Sequence, residues 1–182
     1  MIIKSPYNGT SPKIHPTVFI APDVVIIGDV KIGAYTNIWF GAKIRGDWGK
    51  IIIGENTSIQ ENVVVHSAPG EICQIGSNVR LGHSCTCHGP CIIEDSSLVG
   101  INATVLQDAR LARGCVLGAG SVLRGDTKEL CLYTGVPAKK KKQYIEPKDL
   151  NWGAKLYAEN GKKFKEAGLG QEISEEFLLR NK

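Results

Sequence analysis

The sequence predicts an all-β fold, a parallel β-helix of about six coils followed by a C-terminal α-helix, and three observations predict it. An apolar residue recurs every six positions, glycine often follows it, and the fifth position of each hexad is small or β-branched. Two short interruptions, near 48–52 and 67–74, divide 18 such hexads. The apolar positions are Ile14, Ile20, Ile26, Ile32, Ile38, Ile44, Ile53, Ile59, Val65, Ile75, Leu81, Cys87, Ile93, Val99, Val105, Leu111, Leu117 and Leu123.

A period of six fits neither an α-helix nor the simple alternation of a strand. A prism with three flat faces accounts for it, if each hexad forms one face and three hexads form one coil. The apolar residue then points into the prism, and the small residue lies near a corner. Successive coils stack about 4.8 Å apart through the hydrogen bonds of parallel strands. We therefore predict a β-helix domain over residues 1–135.

The repeat fades after Leu123, and residues 136–182 are predicted to form a linker and helices that pack on the β-helix. Asp149 is expected to cap a helix. The expected apolar side of this helix consists of Ala154, Leu156, Tyr157 and Phe164. Two glycines break the helix at its end, Gly168 and Gly170. Ser174 is expected to cap a last short helix, which contains Phe177 and Leu178.

Composition narrows the classes of function. The formal charge of +4 is modest and includes the run of lysines at 139–142, which is typical of a solvated surface rather than of nucleic-acid binding. No apolar stretch approaches the roughly 20 residues that span a membrane. The first residues lack the pattern of a signal peptide. Six cysteines in a chain without the pattern of a signal peptide favour reduced thiols and a cytoplasmic protein.

The hexad register places three polar side chains in one column on the outside of the prism. Hexads three apart share a face, so the second residues of the sixth, ninth and twelfth hexads stack on it. These residues are Arg45, His66 and His88. Each points outward because its neighbour points inward. His66 and His88 then lie one strand spacing apart, where both imidazoles can bind one metal ion.

His83 is the candidate third ligand, since a catalytic metal needs about three protein ligands and an open position. It is the third residue of the eleventh hexad, near the corner of the neighbouring face, and is not expected to reach His66 and His88 within one prism. In a three-fold trimer, the His83 edge of one chain can meet the His66–His88 face of the next. The register therefore favours a site between subunits, which a closed ring repeats.

The cysteines suggest a rival metal site. The segment 85–91, Cys-Thr-Cys-His-Gly-Pro-Cys, looks like a zinc or iron–sulfur motif. The register argues against this, because four cysteines occupy inward positions, where cysteine behaves as a small hydrophobe. These are Cys85, Cys87, Cys91 and Cys115. Two others lie outside the regular repeat and are expected to be exposed, Cys73 and Cys131, which leaves a redox role for Cys73 open.

Several short segments are specific in combination, although each alone is weak. They are Asn37-Ile38-Trp39, Ile44-Arg45-Gly46-Asp47, Asn56-Thr57-Ser58-Ile59-Gln60-Glu61, His66, Gly82-His83, His88-Gly89 and Tyr133-Thr134-Gly135-Val136-Pro137. Together they resemble the gamma-class carbonic anhydrase family of hexapeptide-repeat proteins, over roughly residues 10–165. The resemblance implies a left-handed coil, a sense that the period alone does not give.

The resemblance also implies a ligand set and a reaction. His66 and His88 match the two metal ligands that one chain supplies, and His83 matches the ligand from its neighbour. One divalent metal per subunit is expected, with zinc first and iron(II) or cobalt(II) also suited to three imidazoles. The implied activity is the reversible hydration of carbon dioxide to bicarbonate in a homotrimer.

Four more residues match positions near the family's site. Arg45 and Asp47 match the pair that bridges subunits and orders the site. Gln60 matches the glutamine that positions the reacting water or bicarbonate. Tyr157 matches a tyrosine near the site.

Four departures from the family bear on turnover. Trp48 stands where active members have a glutamate after Arg-Gly-Asp, and Ser58 stands where asparagine is frequent. The loop before Ile75 is short and holds only Glu71. The segment 88–93 carries one residue more than is usual. These departures put fast turnover in doubt and leave the metal ligands in place.

The sequence leaves three other functions open. One is metal-assisted hydrolysis of an acyl-CoA thioester. Another is a catalytically silent, metal-binding assembly subunit, which the absent glutamate favours. The third is a hexapeptide acyltransferase, which gives His66, His83 and His88 no clear role.

Overall fold

The computed structural model describes residues 1–143 and 148–179. Its strands are β1 (Ile2–Ile3), β2 (Lys13–Ile14), β3 (Phe19–Ile20), β4 (Val25–Ile32), β5 (Asn37–Ile38), β6 (Lys43–Ile53), β7 (Ser58–Ile59), β8 (Val64–Ser67), β9 (Ile72–Ile75), β10 (Arg80–Leu81), β11 (Thr86–Gly89), β12 (Cys91–Ile93), β13 (Leu98–Val99), β14 (Thr104–Val105), β15 (Ala109–Leu111), β16 (Val116–Leu117), β17 (Val122–Leu123), β18 (Cys131–Thr134) and β19 (Lys139–Gln143). The helix α1 spans Lys148–Glu166, and a 3-10 helix spans Glu175–Phe177.

Parallel pairing arranges the strands on three faces, so the predicted parallel β-helix is confirmed. Face A contains β1, β4, β6, β8, β11, β14 and β17. Face B contains β3, β5, β7, β10, β13, β16 and β18, and face C contains β2, β9, β12 and β15 with the second halves of β4 and β6. Val65 pairs with Ile44 on one side and with Cys87 on the other. Hexads three apart therefore share a face.

The β-helix has about seven turns rather than six, because face B carries seven parallel strands. The last of these is β18, in which Tyr133 pairs with Leu117. Buried Thr127 belongs to the same turn. Neither Thr127 nor Tyr133 is aliphatic, so the hexad pattern of apolar residues does not predict the last turn. Strand β19 then pairs antiparallel with β18 and extends the sheet beyond the predicted domain boundary at residue 135.

The apolar hexad positions form the core. All of them, from Ile14 to Leu123, are at most 2% exposed, and the small fifth positions are buried beside them. The fourth position of each hexad forms the corner between two faces of the prism, a role that the sequence analysis did not predict. Its residues have a left-handed φ, which Asn, Asp and Gly tolerate best. They include Tyr35, Gly41, Asn56, Asn62, Asn78, Ser84, Ser96, Asn102, Asp108, Gly114 and Gly120.

Glycine at the second position lets successive coils approach each other. A Cβ at Gly54 would lie 2.6 Å from the carbonyl carbon of Gly76 in the next coil. A Cβ at Gly100 would lie 2.6 Å from the carbonyl oxygen of Leu117. These distances leave no room for a side chain, so the frequent glycines follow from the stacking of coils.

Helix α1 packs on face B through its aromatic residues. The ring of Phe164 lies 5.6 Å from that of Phe19 and 5.1 Å from that of Trp39. Tyr157 also contacts Trp39. The predicted apolar side is therefore confirmed in part, but Leu156 is 53% exposed and does not belong to it.

The ends of the C-terminal segments are close to their predicted positions. Helix α1 ends at Glu166, before Gly168. Its start includes Asp149, the predicted cap, whose side chain lies outside the described part of the structure. Ser174 takes the cap position of the 3-10 helix without a side-chain hydrogen bond, and Phe177 is buried. No helix in the described ranges is long and apolar enough to cross a membrane.

Replacing a core residue should be costly. We expect Leu81→Ala, at a fully buried hexad position, to lower the free energy of unfolding by about 2–5 kcal/mol, because it leaves a cavity in a packed core. Ile72→Ala is the control, since Ile72 is 46% exposed, and should change stability by less than about 1 kcal/mol. Chemical denaturation measures both. Equal losses for the two variants would contradict the inward register.

Candidate metal centre

The predicted column of polar side chains is confirmed. Arg45 in β6 pairs with His66 in β8, and His66 pairs with His88 in β11. The two imidazole rings lie 5.4 Å apart, centre to centre, with their planes at 90°. With Asp47 and Trp48, these three residues form what we name the His66 cluster.

The backbone fixes the orientation of His66. Its Nδ1 lies 2.8 Å from the carbonyl oxygen of Arg45. Because a carbonyl oxygen only accepts hydrogen bonds, Nδ1 donates and the lone pair is on Nε2. Nε2 accepts a hydrogen bond from Arg45 Nη2 at 2.9 Å. Nε2 is therefore the atom through which His66 could bind a metal, and in the single chain Arg45 contacts it.

Asp47 and Trp48 hold the guanidinium of Arg45 in place. Arg45 Nη1 donates to both carboxylate oxygens of Asp47 at 2.9 Å. The Trp48 ring lies 5.1 Å from the guanidinium carbon and 5.8 Å from the ring of His66. A cation over an indole is stabilised by the ring's quadrupole. Trp48 thus covers one side of Arg45 and His66 with an aromatic surface.

A second group of residues, which we name the His83 cluster, consists of Gln60, Glu61 and His83. His83 Nδ1 donates to Glu61 Oε2 at 2.6 Å, which leaves Nε2 free for a metal, as is common for histidine ligands. Gln60 is buried next to Glu61. The contact with Glu61 was missed from the sequence, although Glu61 and His83 occupy the same position in hexads three apart.

The two clusters lie at opposite edges of face A. The His83 cluster is at the corner where the chain enters β8 and β11, and the His66 cluster is where these strands end. Among the described residues, no three His, Cys, Asp or Glu side chains come close enough within one chain to hold a metal. This agrees with the expectation that His83 does not reach His66 and His88 in the same prism.

Tyr157 belongs to neither cluster. It lies on α1, with its ring 6.2 Å from that of Trp39. Trp39 and Gln60 follow the paired residues Ile38 and Ile59 on neighbouring coils of face B. Tyr157 thus contacts a residue on the coil next to that of Gln60, and among the described contacts none joins Tyr157 to Gln60.

The donor set fits a divalent metal of the zinc type. Two imidazoles lie on adjacent strands, and Nε2 of His66 is the atom with a free lone pair once Arg45 moves. Glu61 anchors a third imidazole at Nδ1. Hydrogen bonds to Nδ1 from outside the ligand sphere are what orient histidine ligands in metal sites.

The cysteines form part of the core and not of a metal site. All six are buried, so the expected exposure of Cys73 and Cys131 is wrong. Cys73 pairs with Cys91 on the neighbouring strand, and their sulfur atoms lie 3.4 Å apart. The hydrogen bond with Cys91 and burial raise the pKa of Cys73 well above its usual value. The Cys85 hydrogen bond and burial do the same for Cys87.

Comparison with known proteins supports the same family. Residues 11–46 match the family model "Bacterial transferase hexapeptide (six repeats)". The chain is 31% identical to the carnitine operon protein CaiE of Escherichia coli over 150 residues, which are 80% of this chain and 74% of that protein. It is 37% identical to a hexapeptide transferase family protein from Anaplasma phagocytophilum, with a TM-score of 0.83 over 90% of this chain and 98% of the other.

Gamma carbonic anhydrase 2 of Arabidopsis thaliana mitochondria is 40% identical to the chain over 124 residues, which are 65% of this chain. This match spans only 44% of the plant protein. The chain belongs to the hexapeptide-repeat family that includes the gamma carbonic anhydrases. Members of this family carry names of different activities, so membership alone does not assign a reaction.

In this member of the family, we expect the thiols to be unreactive in the folded state. At pH 8, 5,5′-dithiobis(2-nitrobenzoate) should react with the native protein at least about a hundredfold more slowly than with a small thiol, because burial and a raised pKa both deplete accessible thiolate. In denaturant all six thiols should react. Rapid reaction of one or two thiols in the native state would contradict the buried placement of Cys73 and Cys131.

Proposed function

We propose that the protein catalyses the reversible hydration of carbon dioxide at a divalent metal held between the subunits of a homotrimer. His66 and His88 of one chain and His83 of the next would bind the ion. The observation that carries this proposal is the pairing of His66 with His88 in register on face A. The names of the gamma carbonic anhydrase relatives support the reaction.

The division of the candidate residues between two edges supports the trimer. One edge of face A carries two histidines, and the other carries one histidine with Gln60. A three-fold axis brings the first edge of each chain to the second edge of the next, and a closed ring repeats this contact without leaving a cluster unused. Each interface would then contain three imidazoles and one buried amide.

The metal that we expect is zinc, and iron(II) or cobalt(II) would suit the same ligands. When bound, such an ion supplies the Lewis acidity that makes water acidic near neutral pH. The chain's own residues hold the imidazoles. The carbonyl oxygen of Arg45 fixes His66, and Glu61 fixes His83.

Four other residues would prepare the reactants. Arg45 would leave Nε2 of His66 and remain paired with Asp47, whose carboxylate contacts it at 2.9 Å. The Gln60 amide, only 6% exposed, would orient water and bicarbonate by hydrogen bonds. Tyr157 would act from further away, through its contact with Trp39.

Trp48 favours a second candidate function, that of a metal-binding assembly subunit without catalysis. Hydration releases a proton, and a carboxylate beside the site would accept it. Trp48 places an indole against Arg45 and His66 instead. Acyl transfer is a further alternative, since one solved relative is named a hexapeptide transferase family protein.

The cytoplasm is the location that we propose for this chain, because six reduced thiols suit a reducing compartment. The Arabidopsis relative is named mitochondrial, and a mitochondrial matrix would preserve the thiols as well.

Oxygen-18 exchange between carbon dioxide and water tests the reaction. We expect the zinc-loaded protein to catalyse exchange above background, and His88→Ala to lose both exchange and metal while keeping its circular dichroism and oligomer size. His15→Ala is the matched control, because His15 contacts Thr17 and lies outside both clusters. No exchange with zinc, or with iron(II) kept anaerobic, would favour the silent subunit.

Mixing two metal-free variants tests the arrangement of subunits. A His83→Ala chain keeps His66 and His88, and a His88→Ala chain keeps His83. When equal amounts are refolded together, about a quarter of the wild-type metal content should return, because each mixed trimer regains one site in three. Mass spectrometry of the metal after dialysis against a weak chelator measures this.

Each variant refolded alone is the control and should retain almost no metal. Absence of recovery in the mixture would mean that all three histidines act within one chain or that they do not share an ion. Recovery of metal without oxygen-18 exchange would support the shared site and the silent subunit together.

A further inference from the structure

Arg80 lies where α1 crosses face B. It belongs to β10, in which it pairs with Ser58 on one side and with Leu98 on the other. Its side chain is half-buried. A Cβ at Gly153, in α1, would lie 2.5 Å from Cζ of Arg80. The guanidinium group therefore lies against the helix backbone, at a position where only glycine leaves room for it.

The guanidinium of Arg80 has no counter-ion in the part of the chain that the structure describes. No carboxylate there forms an ion pair with it, and no oxygen there accepts a hydrogen bond from it. Two other partly buried arginines differ in this respect. Arg45 pairs with Asp47, and Arg110 pairs with Glu94.

The surroundings of Arg80 disfavour an unpaired charge. Burial lowers the pKa of Arg80, and Tyr157, one turn of α1 beyond Gly153, has the opposite effect. A guanidinium still stays protonated at neutral pH and carries five N–H donors. The two buried oxygens Ser58 Oγ and Asn151 Oδ1 have no hydrogen-bond partner, so neither accepts from it. An anion that brings acceptor oxygens to the exposed side of Arg80 would therefore be stabilised.

Strand register places Arg80 close to Gln60, the amide of the His83 cluster. Gln60 lies two residues after Ser58, and its backbone N–H donates to the carbonyl oxygen of Leu81 at 3.0 Å. Four residues thus mark the corners of one patch on the outer side of face B, with Arg80 diagonally opposite Gln60 and with Ser58 and Gly82 at the other corners. Two residues along a strand and one strand spacing give about 8 Å between the Cα atoms on this diagonal.

The rest of this patch supplies neither bulk nor free charge. Gly82 has no side chain, and a Cβ there would lie 2.8 Å from the carbonyl oxygen of Val99 in the next coil. Glu61, at the adjoining corner of the prism, already accepts a hydrogen bond from His83 at 2.6 Å. Arg80 is therefore the charge that stays unpaired beside the His83 cluster.

We propose that Arg80 binds bicarbonate beside Gln60 as this anion leaves the metal centre, an inference that rests on the proposed hydration of carbon dioxide. Bicarbonate is small and planar, and a guanidinium donates two parallel hydrogen bonds to such a group. Its third oxygen would accept from the Gln60 amide. Three residues separate Arg80 from His83, roughly 10 Å of strand, so Arg80 binds the product and takes no part in the reaction at the metal.

NMR measures this binding without turnover. The full-length His88→Ala chain keeps Arg80 and Gln60, and ¹H–¹⁵N spectra record its arginine Nε–H signals during titration with bicarbonate. We expect a saturable shift of the Arg80 signal, which is identified by its loss in Arg80→Lys. The Arg110 signal should stay in place, because Nε of Arg110 donates to Glu94 at 2.9 Å. Chloride at equal ionic strength should leave both signals unchanged.

Kinetics of the zinc-loaded protein separate binding from folding. Arg80→Met keeps the apolar stem and should raise the KM for bicarbonate in the dehydration direction about tenfold, with kcat changed by less than about twofold, because it removes ground-state binding. Arg80→Lys should restore part of the loss, since it returns the charge without the planar fork. Arg124→Met is the matched control, because Arg124 is exposed after β17, and it should leave KM unchanged.

An Arg80 signal that does not respond to bicarbonate, an equal response to chloride, or equal KM values for Arg80→Met and Arg124→Met would each overturn the inference. A saturable response of Arg80 in a protein without oxygen-18 exchange would contradict the proposed hydration and keep Arg80 as a bicarbonate site. Normal exchange with an unchanged KM in Arg80→Met would leave the hydration standing and remove Arg80 from it.

Discussion

Parallel pairing between successive coils is the constraint on which the rest of the structure depends. Side chains alternate along each strand, so a slip of one residue between coils would turn His66 and His88 into the core. The core prevents such a slip, because it has room for one apolar side chain at every sixth position and cannot hold a charged or larger side chain there. The first interruption shifts the register between β4 and β6 after Gly28, but beyond it Ile32 pairs with Ile53, and Ile53 pairs with Ile75. The interruptions thus vary the surface beside the histidines without moving the column.

Much of the fold could be predicted because the apolar residue of each hexad indicates which side chains point into the prism and which point outward. The register correctly predicted three faces, the outward column and four inward cysteines. The register failed to predict orientation where the first position of a hexad is not aliphatic. Cys73 and Cys131 each lie two residues before an inward position, Ile75 and Tyr133 respectively, and so occupy the same small corner position as Cys91. The second interruption of the repeat hid the inward position of Cys73. The aromatic residue Tyr133, where an aliphatic one was expected, hid the inward position of Cys131 and the seventh turn.

The candidate site could be predicted only as far as the backbone determines it. Register places His66 beside His88, but it does not specify which side chains will contact them. The Glu61–His83 hydrogen bond depends on two rotamers at a corner, although the shared hexad position was a usable signal. Trp48 lies in an interruption, where the pattern assigns no face, so its contacts with Arg45 and His66 required the structure.

The role that we propose for Arg45 follows from a competition between Arg45 and a metal for the lone pair on Nε2 of His66. His66 Nδ1 donates to the backbone, so Nε2 is the atom available both to Arg45 and to a metal. The two cannot occupy it together, since a guanidinium needs the lone pair as an acceptor. Arg45 can leave at low cost, because Asp47 already accepts two hydrogen bonds from its other nitrogen. In the proposed metal site, Asp47 would keep the positive charge of Arg45 beside His66 while Nε2 becomes available to the ion. Arg45 thus shares the column with the two histidines, and Asp47, two residues further along β6, holds it there.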